Sequence, residues 1–132
     1  TFVARASAFA DEDLESLAHA IAGQAIGFPE HFAMVRQITA EAPHFPRAVL
    51  DAWREAGPLR VENEVARRLA ANRALRVTNA NRAARHFIAV TTAEITSGAY
   101  FRERPLTEQQ IDEIIAAGVE AFLNGYASRS TE

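Results

Sequence analysis

The chain has 132 residues, 48% hydrophobic and 23% charged, with a net charge of −3 and no cysteine. That balance describes one ordinary globular domain, long enough to bury roughly two-thirds of its unfolded surface. It excludes disulfides and thiolate metal sites, and it lacks the basic excess of a module that neutralises many phosphates. All 14 basic residues are Arg, a codon bias pointing to a GC-rich bacterial genome. No apolar run could span a bilayer and no secretory leader is legible at Thr1, so a cytoplasmic location is expected.

In chain order, helix follows helix and no segment alternates as a strand would. "TFVARASAFA" reads as the tail of one helix, with Asp11 or Asp13 capping the next. Along that next helix Leu14, Leu17, Ala18, Ile21, Ala22 and Ala25 share one face. Gly27 suits a helix end, and Pro29 suits the first turn of a helix to about Ala42. Phe32, Ala33, Met34, Val35 and Ile38 cover more than one side of it, which predicts a central position. Pro43 then denies a continuing amide and Pro46 starts another helix, so "APHFP" predicts a tight elbow. Val49, Leu50, Trp53 and Ala56 form one stripe; Val61, Val65 and Leu69 form a second, rotated by roughly a third of a turn. The phase change favours a break at Gly57-Pro58 over the alternative, one proline-kinked helix.

Two helices close the chain. Asn79 is a candidate N-cap for residues 80–99, where small residues Ala89, Ala93 and Ser97 recur every four positions and permit close approach of another helix. Thr107 with Gln110 forms a capping box, and Leu106 with Ile111 a hydrophobic staple, which predicts the start of the last helix to within a residue or two. The expected fold class is therefore all-α, a single helical domain over 1–132.

Catalytic and metal signatures are weak. Glu41 and His44 have E-x-x-H spacing, but Pro43 interrupts the helix that would align them and no second copy exists. Glu15 and His19, at i and i+4, read as a surface pair without a third ligand. There is no G-x-S-x-G motif and no phosphate-cradling glycine loop. No catalytic residue, metal or cofactor is expected.

Three stretches, "FAMVRQITAEAPHFPRAVLDAWREAGPLRV", "LRVTNANRAARHFIAV" and "LTEQQIDEIIAAGVEAFLNGY", together resemble the C-terminal regulatory domain of the TetR/AcrR family of bacterial transcriptional regulators. The resemblance rests most on "AEAPHFP", "EAGP" and "FLNGY" and spans nearly the whole chain. It implies a helical bundle in which the two interruptions fold three helices around an effector cavity. It also implies a homodimer and operator contact through an N-terminal helix-turn-helix domain, to which nothing in these residues corresponds. A small-molecule effector would bind between helices, favour one arrangement around Gly57-Pro58 and the linker helix, and so set the spacing of two DNA readers. The resemblance suggests a role as repressor; a purely structural dimerisation module and a small helical-bundle enzyme are the alternatives.

The candidate effector-site residues follow from position and type. Trp53, Phe32 and Met34 could form walls with Leu17 and Ile21 opposite, although each also fits plain core packing. His86 and Glu94 sit among apolar neighbours and could orient a ligand, pair across a dimer or reach solvent. Arg36 could anchor an anionic or carbonyl-bearing ligand; its alternative is a surface ion pair contributing about 0–1 kcal/mol. Because few other helices are available to cover both terminal stripes, the last two helices are expected to form a four-helix bundle with a dimer mate. That bundle would centre on Phe87, Val90, Ile115, Gly118 and Phe122.

Overall fold

The computed structural model describes residues 2–27, 29–97 and 102–128, without the side chains of 2–12, 25, 29, 32 and 97. Six α-helices and one short 3-10 turn make up the described chain: α1 (Phe2–Gly27), α2 (Pro29–Ala40), the 3-10 turn Ala42–His44, α3 (Arg47–Ala56), α4 (Pro58–Ala71), α5 (Ala80–Ser97) and α6 (Glu108–Tyr126). The all-α expectation holds.

The core has a simple origin in the apolar stripes. Leu14, Leu17, Ala18 and Ala22 of α1 meet Val65, Ala66 and Leu69 of α4, Ala83, Ala84, Phe87 and Ile95 of α5, and Ile115, Val119 and Phe122 of α6. At helical spacing these residues fall on one side of each element, so four helices share one dry centre. Phe87 and Phe122 meet edge to face, ring centroids 5.1 Å apart at 85°, and Tyr126 stacks on Phe122 at 4.5 Å. Gly118 lets α5 and α6 approach: a Cβ there would lie 2.5 Å from the Val90 carbonyl oxygen. Glu62 ties α4 to α5 at the surface, accepting from Asn81 (2.9 Å) and Arg85 (3.3 Å).

Local signals set the helix ends as their chemistry requires. Asn79 Oδ1 accepts from the Arg82 amide at 3.0 Å, capping α5. At the other end of α5, Arg102 donates to the carbonyls of Glu94 and Ile95, two of the acceptors a helix terminus leaves unpaired. The α6 capping box is complete: Thr107 Oγ1 accepts from the Gln110 amide (3.1 Å) and Gln110 Oε1 from the Thr107 amide (2.9 Å). Thr107→Ala is expected to cost about 1 kcal/mol; a denaturant melt showing no loss would mean that the box does not hold the start of α6.

Several expectations are corrected. Residues 2–27 form one helix, so no helix begins at Asp11 or Asp13; with no Gly or Pro before Gly23, nothing in this Ala-rich stretch forces a break. Helix α2 ends at Ala40, before Pro43, because Pro43 has no amide with which to continue the i−4 hydrogen bonds. It is peripheral rather than central. No described side chain of α2 is buried, and Met34 is 51% exposed. The small, amphipathic α3 likewise buries nothing, and its Val49 is 51% exposed. His19 pairs with Asp112 on α6 (3.3 Å) rather than Glu15 one turn away. The expected end of α5 at Ala99 lies outside the described residues.

The joint between α3 and α4 is a break, as the stripe phase predicts. Gly57 has φ −128° and ψ −87°, so it caps without the left-handed geometry usual for glycine at helix ends. Its amide still donates to Trp53 O and its carbonyl accepts from the Val61 amide, both at 3.2 Å. Pro58 therefore occupies the first turn of α4, where its missing amide leaves no hydrogen bond unmade.

Candidate functional site

A cavity of about 910 Å³ opens between α1, α2, α3, α4 and α5. Its apolar walls include Leu17, Ile21 and Ala22 from α1, Met34 and Val35 from α2, Trp53 and Ala56 from α3, and Val61 and Val65 from α4. Gly57 and Pro58 lie in the lining, so the second of the two helix interruptions shapes the wall directly. Helix α4 grades along its length: Val61 is 43% exposed beside the cavity, whereas Val65 and Leu69 are buried in the core. The size and the mixture of apolar walls with a few polar groups are those of a small-molecule site.

Trp53 stands between this cavity and a smaller one of about 230 Å³, lined by Ile38, Ala42, Leu50 and Arg54 among others. The first elbow, "APHFP", borders that smaller space rather than the larger. Its function is geometric: the 3-10 turn and Pro46 redirect the chain so that α3 returns past α2. Pro46 O accepts from the Val49 and Leu50 amides at 3.1 and 3.2 Å.

Polar groups enter the large cavity from two sides. On α4, Arg60, Glu64 and Arg68 follow one another at helical spacing. Glu64 accepts from Arg67 (2.7 and 3.1 Å) and Arg68 (3.2 Å), and these bonds hold its carboxyl at about 2, down from an ordinary 4.5. A carboxylate whose folded-state pKa is depressed adds stability above its unfolded value and loses it as pH falls toward the folded one. The Glu64 contribution should therefore fade from about 4.5 down to about 2. Because this carboxylate is exposed, the effect should be small and salt-screened. Glu64→Gln is expected to flatten the pH dependence of thermal stability in that window at low salt; an unchanged profile would show that the triad contributes nothing.

On α5, Thr92 and Thr96 reach the cavity from the core side. The Thr92 hydroxyl donates to Ile88 O at 2.6 Å and the Thr96 hydroxyl to Thr92 O at 3.1 Å. Gln24 and His31 complete the polar lining.

Of the residues singled out from sequence, Leu17, Ile21, Met34 and Trp53 converge on the cavity. The side chain of Phe32 lies outside the described residues. Arg36 and Glu94 line neither cavity. His86 is on the opposite side of α5, its Nδ1 2.7 Å from the Tyr126 hydroxyl. A polar residue among apolar neighbours in sequence had suggested a cavity position for His86 and Glu94; on the helix they face outward. Sequence reasoning missed Arg60, Glu64, Arg68, Thr92 and Thr96. The i, i+4 recurrence of each set beside an apolar row was the available signal.

Four of the five residues expected at a dimer centre, Phe87, Ile115, Gly118 and Phe122, are buried within one chain. They pack α5 against α6, because the two terminal stripes cover each other. Only Val90 of the five remains exposed, at 46%. It lies beside exposed Ala89 and Ala93 on α5, while α6 exposes Ala117 and Ala121.

No group of three or more His, Asp or Glu side chains could hold a metal ion among the described residues, and no helix there is long and apolar enough to cross a membrane. The helix order and packing match a solved structure, the Flavonoid-responsive Regulator FrrA, with a TM-score of 0.67 over 91% of this chain and 74% of that one, at 20% identity. A comparison with curated protein sequences finds no match. Residues 12–128 match the family described as "AefR-like transcriptional repressor, C-terminal domain", and the chain belongs to that family. The family and the structural neighbour are transcriptional regulators rather than enzymes.

Proposed function

We propose that this domain senses a small-molecule effector in the large cavity and forms a homodimer, controlling operator binding by an N-terminal helix-turn-helix domain of the intact cytoplasmic repressor. The observation that carries the reading is the cavity of about 910 Å³ whose wall includes the Gly57-Pro58 joint. A ligand there touches both α1, which leads toward the chain's N-terminal side, and the α3–α4 break. Binding that favours one arrangement of these elements would change the separation of two DNA readers. A hundredfold effect on operator affinity needs about 2.8 kcal/mol of differential binding, within the usual range for coupled sites. The printed name of the neighbouring structure, a flavonoid-responsive regulator, supports an organic effector rather than an ion.

The dimer surface in this reading is the outward face of α5 and α6 around Val90, Ala89, Ala93, Ala117 and Ala121. These small exposed residues allow two helix pairs to approach closely across a two-fold axis. A purely structural dimerisation module would have no use for an unfilled cavity of this size. Native mass spectrometry of the purified domain tests both parts together. A species near twice 14.5 kDa is expected, dissociating in Val90→Glu, and a retained adduct would identify the effector. A monomer without adduct would overturn the reading.

A further inference from the structure

The two threonines at the core side of the cavity constrain what can bind there. A carbonyl oxygen cannot donate, so each hydroxyl bonded to one must supply the hydrogen: Thr92 to Ile88 O at 2.6 Å, Thr96 to Thr92 O at 3.1 Å. A hydroxyl has one hydrogen and two lone pairs. Both threonine hydrogens are therefore used within α5, and what the cavity receives is acceptor capacity. Thr92 is only 7% exposed and Thr96 is half-buried, so these acceptors sit at the sheltered end.

The consequence is a choice between addition and exchange. A ligand O–H or N–H arriving at Thr92 adds a hydrogen bond and breaks none. A ligand carboxylate or carbonyl meets a lone pair, and gains a bond only if the threonine gives up the one it has. The guanidinium groups of Arg60 and Arg68 would favour an anion, but both side chains are exposed, where water competes and charge pairing is worth little. The walls favour a ring system: Trp53 offers an aromatic surface, and Met34, unbranched and half exposed, can move to close over a flat ligand.

Resting on the effector-cavity reading, we infer that the site selects neutral hydroxylated aromatic compounds that enter hydroxyl-first, with Thr92 and Thr96 as the specificity-determining acceptors. The ring system lies against Trp53 and Met34, and any acceptor group on the ligand faces Arg60 and Arg68 at the exposed side.

Isothermal titration of the domain with β-naphthol, its methyl ether and β-naphthoate tests this. The ether and the naphthoate are each expected to bind about 3- to 10-fold more weakly than the naphthol, the value of one hydrogen bond. Thr92→Val, nearly isosteric, should bring the naphthol and its ether to equal affinity, and Thr92→Ser should restore the preference. If the ether matches the naphthol in the native domain, or the preference survives in Thr92→Val, the donor rule is wrong. If the naphthoate binds tightest, the arginines select an anion; in either of these cases the cavity reading stands. Absence of binding by all three, up to their solubility limits, would overturn the cavity reading itself.

Discussion

Phe87→Ala is expected to destabilise the domain by about 3–5 kcal/mol, the range for removing a fully buried aromatic side chain. Phe87 has no exposed surface and its ring meets Phe122 edge to face, so truncation opens a cavity where α5 and α6 join. A domain of this kind has only about 5–15 kcal/mol of total stability, so the loss is a large fraction of it. Urea denaturation of Phe87→Ala, Phe122→Ala and the double variant gives the coupling, which should be about 0.5–1.5 kcal/mol for an aromatic pair. A cost for Phe87→Ala below about 1 kcal/mol would contradict the packing described.

Gly118→Ala is the second large effect, and its sign is informative. In a helix interior Ala is normally better than Gly by about 1 kcal/mol. Here the new Cβ would sit 2.5 Å from Val90 O and 2.8 Å from Thr91 Cα, both backbone atoms that cannot swing aside. Helices α5 and α6 would have to separate, and overpacking of this kind costs about 1–3 kcal/mol. A net loss is expected, visible as a lowered melting temperature, with Gly118→Val worse. Gly23 supplies the control. A Cβ there would meet nothing within 4 Å, so Gly23→Ala should hold or raise the melting temperature. Gly118→Ala melting at or above the native domain would show that the helices are not this close. Because the same two helices carry the proposed dimer face, the variant should also weaken association.

Legibility from sequence followed the range of the interactions involved. The α6 capping box and the Asn79 cap are complete within four residues, and both were readable. So was the Gly57-Pro58 break, because a phase change between Val49–Ala56 and Val61–Leu69 is a local fact about two stripes. The missing break at Asp11–Asp13 shows the limit of that logic: a cap residue permits a helix start but does not compel one in a stretch that is helix-forming on both sides. The exposure of α2 was not readable, since apolar residues on several sides describe equally a central helix and one flanking an open cavity. The placement of His86 and Glu94 away from both cavities was unreadable for the same reason, because rarity of a polar residue in an apolar row does not say which side of the helix it occupies.

What the sequence determined by itself was the all-α class, the positions of the two interruptions, most helix ends and a set of apolar stripes. These depend on propensity, proline and glycine chemistry and 3.6-residue periodicity, which act over a few residues. Only the tertiary structure decided which stripes face each other. It placed Phe87, Ile115, Gly118 and Phe122 inside one chain, left Val90 and the small alanines outside, and brought Thr92 and Thr96 across from Trp53 to one cavity. Pairing of faces is a non-local outcome: burial is non-directional, so a stripe records that it must be covered without recording by what.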